Sequence, residues 1–408
     1  MRRKVAVLFL LILSLSLAAE AAVPPPVPRG PEIRLETDPA SFSSDPEIAA
    51  FPDGGFVVVW RANDGFRARF LDARGRRGRE ILLPANGFGH DVATTNDGFL
   101  LAWATSTPSS PATGIFVRRF DRAGRPQGKR IRVSNLSTSE RHDPVIASAP
   151  GGRFAVAWTA DVQATTPEGD PYTYSHAVGR IFSAAGTPVT GEIVLQEGLP
   201  ATDAGDDAVD ASSRGLVLKP DGALLAQVHT LGASGCFQSY LVQMLPGEEP
   251  EVLDNLNSGF CNGPPYRDGS AALVMRPDGG VIAAWSDAGE VQAQVFAADG
   301  TPRGEWFRVS QNPDALQYAP VIAVQAGGRF VIAWAEDDQS GQPRSIFGRS
   351  FTANGTPRTE TYQINVTTEG SQSEPSIAAA RQGPIVTVWT QALDETSDIA
   401  ARLLLPRQ

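Results

Sequence analysis

Short apolar runs that open on a tight turn and close on tryptophan recur along this chain. Phe56-Val57-Val58-Val59-Trp60 follows Pro52-Asp53-Gly54-Gly55, and Phe99-Leu100-Leu101-Ala102-Trp103 follows Asn96-Asp97-Gly98. Phe154-Ala155-Val156-Ala157-Trp158 follows Gly151-Gly152-Arg153. The run returns from Val281 to Trp285, from Phe330 to Trp334 and from Ile385 to Trp389, and a degenerate copy from Ala223 to Val228 ends in valine. Seven copies at a period of about 55 residues, each with several strand signals, predict a radial array of sheets. The runs are apolar at nearly every residue, not at alternate ones, which suits strands covered on both faces by neighbouring sheets. The tryptophans then read as wedges between sheets.

The sixth copy is the clearest. Pro320 to Val324 reads as strand A, Phe330 to Trp334 as strand B, Ser345 to Phe351 as strand C and Glu360 to Asn365 as strand D. Ala326-Gly327-Gly328 and Thr352-Ala353-Asn354-Gly355 supply the positive φ that tight reversals need. The last copy has strand A from Ser376 to Ala380, strand B from Ile385 to Trp389 and strand C from Ile399 to Leu405, with no fourth strand. Pro31 to Glu36 fits the strand D pattern and precedes the first blade. The predicted fold is therefore all-β, a seven-bladed β-propeller of four-stranded antiparallel blades. Pairing of the N-terminal strand with the C-terminal blade is expected to close it and remove two open edges.

Arg2-Arg3-Lys4, the apolar stretch from Val5 to Leu17 and Ala19-Glu20-Ala21 form an export-signal pattern over residues 1–22. Residues 23–30, with Pro24-Pro25-Pro26-Val27-Pro28, read as a stiff spacer, leaving residues 31–406 as a single propeller. The expectation is an exported monomer, periplasmic or extracellular, with no transmembrane segment once the signal is removed. Lys and Arg number 35 against 45 Asp and Glu, a net charge of −10 that repels phosphates and argues against nucleic acid as a partner. Cys236 and Cys261 are the two cysteines. In an exported chain that count predicts one disulfide, which would pin two loops beside the fourth blade.

The two faces of such a disc are written differently. Turns such as Leu71-Asp72-Ala73-Arg74-Gly75 and Phe120-Asp121-Arg122-Ala123-Gly124 repeat almost without change and read as scaffold. The opposite face carries loops of varied length, where binding on a rigid frame usually sits. Tyr172, Tyr174, His176, His229, Tyr266, Arg267 and Asp268 fall there and are the candidate binding residues. The stretches Thr159 to Ser175 and Glu197 to Asp210 contain acidic side chains and no Lys or Arg, which predicts a negative sector. A second group precedes each innermost strand: Asp45, His90, Asp91, His142, Asp143, Asp207, Asp210, Tyr318 and Glu374. These should converge at the axial mouth, where they could hold calcium or another cation. The plainer expectation is that acids before proline satisfy backbone donors at a turn. Arg69, Arg118, Arg180, Gln294, Arg349 and Arg402 recur in strand C and read as structural partners of backbone or carboxylate.

No Gly-x-Ser-x-Gly elbow, His-Glu-x-x-His motif, phosphate loop or calcium-loop spacing occurs. Gly114-Ile115-Phe116-Val117-Arg118-Arg119-Phe120-Asp121-Arg122-Ala123-Gly124 and the Pro-Asp-Gly-Gly-Phe-Val-Val-Val-Trp unit resemble repeats of large bacterial secreted and surface proteins. The resemblance implies a propeller of the broad superfamily that includes WD40-like and sialidase-like rings, and fold likeness alone does not choose a function. The expected function is a non-catalytic binding module presenting the acidic and aromatic loops of blades three to five to a protein or glycan, without a cofactor. The alternative is a carbohydrate-active hydrolase or lyase working at the axial mouth.

Overall fold

The computed structural model describes residues 24–37, 42–105, 113–135, 139–165, 169–198, 210–231, 237–256, 271–337, 345–381, 383–393 and 396–406. These residues form seven four-stranded antiparallel sheets and no helix, the blades of a seven-bladed β-propeller. Blade one runs A to D as Ser44–Ala50, Phe56–Ala62, Gly65–Leu71 and Arg77–Leu82. Blade six follows the predicted order, with strand C at Ser345–Phe351.

The apolar side chains of the described residues divide into clusters that fall one at each junction between blades. Trp60 packs between blades seven and one with Val386 and Ile399, Trp103 between one and two, and Trp158 between two and three. Trp285, Trp334 and Trp389 occupy the next three tryptophan-bearing junctions. At the junction of blades three and four Val228 takes the equivalent place beside Val242 and Met244. The core is thus distributed around the ring, and each sheet is stable only against its neighbours.

The strand C cations tie the outer rim together. Arg180 donates to Thr190 O in its own blade at 3.1 Å and to Val133 O of the preceding blade at 2.9 Å. Arg349 repeats this with Thr359 O and Val309 O, and Arg402 reaches Ile364 O and Gly30 O. In blade one Arg69 instead pairs with Glu80, which also accepts from Thr37 N–H and Thr37 Oγ1.

Strand A extends further toward the loop face than the apolar pattern predicts, because it continues past a bulge. Asp45, Gly89, Asp143, Ala319 and Glu374 sit at φ between 46° and 53°, each at a break in register with strand B. Four of these precede proline, which disfavours the right-handed helical region. The left-handed conformation costs about 1 kcal/mol per non-glycine residue.

Strand D of blade seven is Pro26–Arg34, antiparallel to Ser397–Pro406 with Val27 opposite Leu405 and Arg34 opposite Ala400. It begins before Pro31 and takes in residues assigned from sequence to the spacer. Proline is tolerated there because the strand is outermost and half of its N–H groups face no partner. Gly30, at φ 72°, sits in the register break between Arg29 and Ile33.

Candidate functional site

The loop face is built on the ends of the A strands. Past the bulge at Asp45 the chain places Glu47 in the same register position that Asp91 holds past Gly89. Glu47 and Asp91 are therefore equivalents in adjacent blades, and both line the inner rim. Glu47 accepts from Ser376 Oγ of blade seven at 2.8 Å. Asp91 accepts from Val92 N–H and, across the blade junction, from Ile146 N–H, both at 2.7 Å. Glu374 accepts from Asp45 N–H at 2.9 Å and from Thr390 Oγ1 at 2.7 Å.

Burial pushes the Asp91 carboxyl up to about 6, against the pull of its two N–H donors. Glu47 rises well above the usual range, through burial first and then the charge of Asp91, with Asp45 and Glu374 adding to it. Glu374 is raised by burial and by Asp45. Carboxyl groups from blades seven, one and two thus hold protons more tightly than free acids and serve as cross-blade acceptors. Among the described residues no three His, Cys, Asp or Glu side chains are grouped as a metal ion would need.

Blade three carries a different arrangement. Its strands Phe154–Thr165 and Pro171–Phe182 are twelve residues each and pair along their full length, so the hairpin stands off the loop face. Alternation places Tyr172, Tyr174 and His176 on one side of that hairpin. The two tyrosine rings lie 6.2 Å apart and stacked, and the His176 ring meets Tyr174 edge-on at 5.4 Å. All three are half-buried, and His176 Nδ1 accepts from Gly198 N–H at 3.0 Å.

His142 anchors the base of the hairpin. Its Nε2 lies 3.2 Å from Asp161 Oδ1 and its Nδ1 3.3 Å from Asp143 Oδ2. Burial opposes the imidazolium, but these two carboxylates outweigh it and raise His142 to about 9. Asp161 also accepts from Ser175 Oγ at 2.9 Å on the opposite strand. His142 therefore ties the inner strand to one arm of the hairpin at Asp161, and Ser175 ties the other arm to the same carboxylate.

Other candidates lie apart from these two sites. His90 is buried against Phe66, 4.8 Å between centroids, with Nε2 3.4 Å from Val59 O. Burial lowers it to about 4, so it is neutral and belongs to the junction of blades one and two. His229 lies within strand B of blade four, 3% exposed and paired between Ser212 and Ser239, not on the loop surface. Strand B there runs through Leu231, beyond the apolar run that suggested its end. Tyr318 packs at the junction of blades six and seven and donates to Asp337 Oδ1 at 3.3 Å. Asp210 begins strand A of blade four. Asp207, Tyr266, Arg267, Asp268, Cys236 and Cys261 lie outside the described residues.

The sequence pattern does not single out Glu47, Asp161 or Ser376. The available signal was the repeated acid-proline or alanine-proline step at 45–46, 143–144, 319–320 and 374–375. Blade two lacks the step and has Gly89-His90 at its bulge, so only the register past the bulge puts Glu47 level with Asp91, whereas aligning on the acids puts Asp45 there.

No protein-family model and no curated protein matches the chain. Among solved structures it is similar to a Dyadobacter fermentans protein of unknown function, at 12% identity and a TM-score of 0.54, covering 94% of this chain and 100% of that one. It is also similar to a Penicillium chrysogenum α-L-arabinanase complexed with arabinobiose, at 10% identity and a TM-score of 0.50, covering 93% and 98%. At these identities the likeness is one of fold alone.

Proposed function

We propose that the chain is an exported glycan-binding propeller whose binding surface is the projecting hairpin of blade three. The observation that carries this reading is the row of Tyr172, Tyr174 and His176 along one side of a hairpin standing clear of the disc. Aromatic faces offer apolar area at low entropic cost, and the C–H faces of sugar rings stack on them while phenol and imidazole tips take hydroxyls. The hydrogen-bonded base at His142, Asp161 and Ser175 holds the surface in one shape before a ligand arrives, which lowers the cost of binding. Binding of the purified chain to a glycan panel, with product chromatography on each hit, tests it. Retention that Tyr174→Ala weakens about tenfold, with no cleaved product, supports the reading. Retention unchanged by Tyr172→Ala and Tyr174→Ala together refutes it.

A second reading, glycoside hydrolysis at the axial mouth, is favoured by one specific observation. Burial, and then the charge of Asp91, raise the Glu47 carboxyl well above its ordinary range, the direction a general acid needs. The same carboxyls accept hydrogen bonds across blade junctions, which places the structural role first. Products that appear in the panel and vanish with Glu47→Gln would establish this reading instead.

A further inference from the structure

The face opposite the loops, written in near-identical turns, contains a cleft of about 860 Å³ at the junction of blades two and three. Its walls are the A-to-B turns of the two blades, around Asn96 and Gly151, and its outer end reaches Gln127. Arg119 lines it. The guanidinium crosses the junction to donate to Ala184 O and lies 5.5 Å above the Phe154 ring. Burial lowers its pKa, and no carboxylate among the described residues offsets that. A partly exposed guanidinium held by a carbonyl and a ring face, with no carboxylate partner among the described residues, keeps N–H donors for an anion.

The other charges along the cleft are acidic. Asp121 is engaged by Arg125 and by the N–H groups of Ala123 and Arg125, and Asp97 lies on the A-to-B turn. They disfavour a dianion such as phosphate and leave room for a single carboxylate, whose planar geometry matches guanidinium. Gln127 pairs with Arg119 in the strand ladder and its side chain is exposed at the rim, and Thr95 and Asn96 add a hydroxyl and an amide to the wall. A cleft of this volume holds a ligand of disaccharide size, and such a lining suits a polyhydroxylated one.

We propose that this cleft is a second binding site, on the turn face, for a carboxylate-bearing sugar such as a hexuronic acid disaccharide, with Arg119 taking the carboxylate. The site is independent of the blade-three hairpin on the other face. Calorimetric titration of the chain with digalacturonate, galactobiose and inorganic phosphate tests it. The expected result is saturable digalacturonate binding that weakens with salt, with galactobiose and phosphate at least about tenfold weaker. Arg119→Gln should weaken digalacturonate about tenfold or more, and Gln127→Ala several-fold with unchanged thermal melting. Tyr174→Ala should leave this binding as it is. The proposal is overturned if digalacturonate does not bind at millimolar concentration, if phosphate binds as tightly, or if Gln127→Ala and Arg119→Gln both bind as the parent does. Should Arg119→Gln fail to fold, Gln127→Ala decides alone.

Discussion

His142 shows how one side chain links the hub to a projecting element. Its pKa of about 9 in the fold exceeds the ordinary value near 6.5, so its contribution is present below about pH 6.5 and lost as pH rises through 9. Urea unfolding at pH 6 and pH 10 should show a loss on the order of 2 kcal/mol, discounted for partial exposure, and His142→Gln should remove that difference. Asp91 works in the same direction at lower pH. Its carboxyl is raised to about 6, so its contribution is present below about pH 4 and lost as pH rises through 6. Asp91→Asn should flatten the stability profile between pH 4 and 7. An unchanged slope would mean that Asp91 ionises freely in the fold. The tryptophans carry the larger energies, and Trp334→Ala should cost about 3–5 kcal/mol in the same assay.

Strands and turns were readable wherever one physical cause acts alone. The buried B strands announce themselves because both faces are covered, and the glycine turns because φ must be positive. Strand C of blade six has the bounds its sequence suggests. Strand A does not, because its outer half continues past a left-handed bulge whose signature is a two-residue step before proline. That bulge moves the inner-rim role from Asp45 to Glu47, and no count of acids reveals the shift. From sequence the hairpin of blade three reads as a loop for a related reason. The polar stretches 161–165 and 171–175 resemble coil, yet they pair in register, with His142 and Ser175 satisfying Asp161 at the base. The arginine staples belong to the same level of organisation. Arg349→Lys keeps the charge but cannot span Thr359 O and Val309 O with one planar group. Chemical denaturation should register a loss of about 1–3 kcal/mol. A loss below a few tenths would make the staple incidental.

The ring as a whole depends on residues far apart in sequence meeting at one sheet. Pro26–Arg34 contributes the outer strand of blade seven, and Arg34 pairs with Asp398 beside it. A chain beginning at Phe42 would expose the edge of Ser397–Pro406, and light scattering should then report oligomers or calorimetry a lower melting temperature. Monomeric, unshifted behaviour would mean that the junction tryptophans close the ring without that strand. With blades fixed in this way, the varied chemistry of the loop face is held on a frame that does not need to move. The most direct test of the central claim is hydrogen exchange of the chain with and without a glycan recovered from the panel. The hairpin reading predicts protection confined to residues 160–165 and 171–176. Protection at residues 44–48 and 88–91, with the hairpin unaffected, would contradict it.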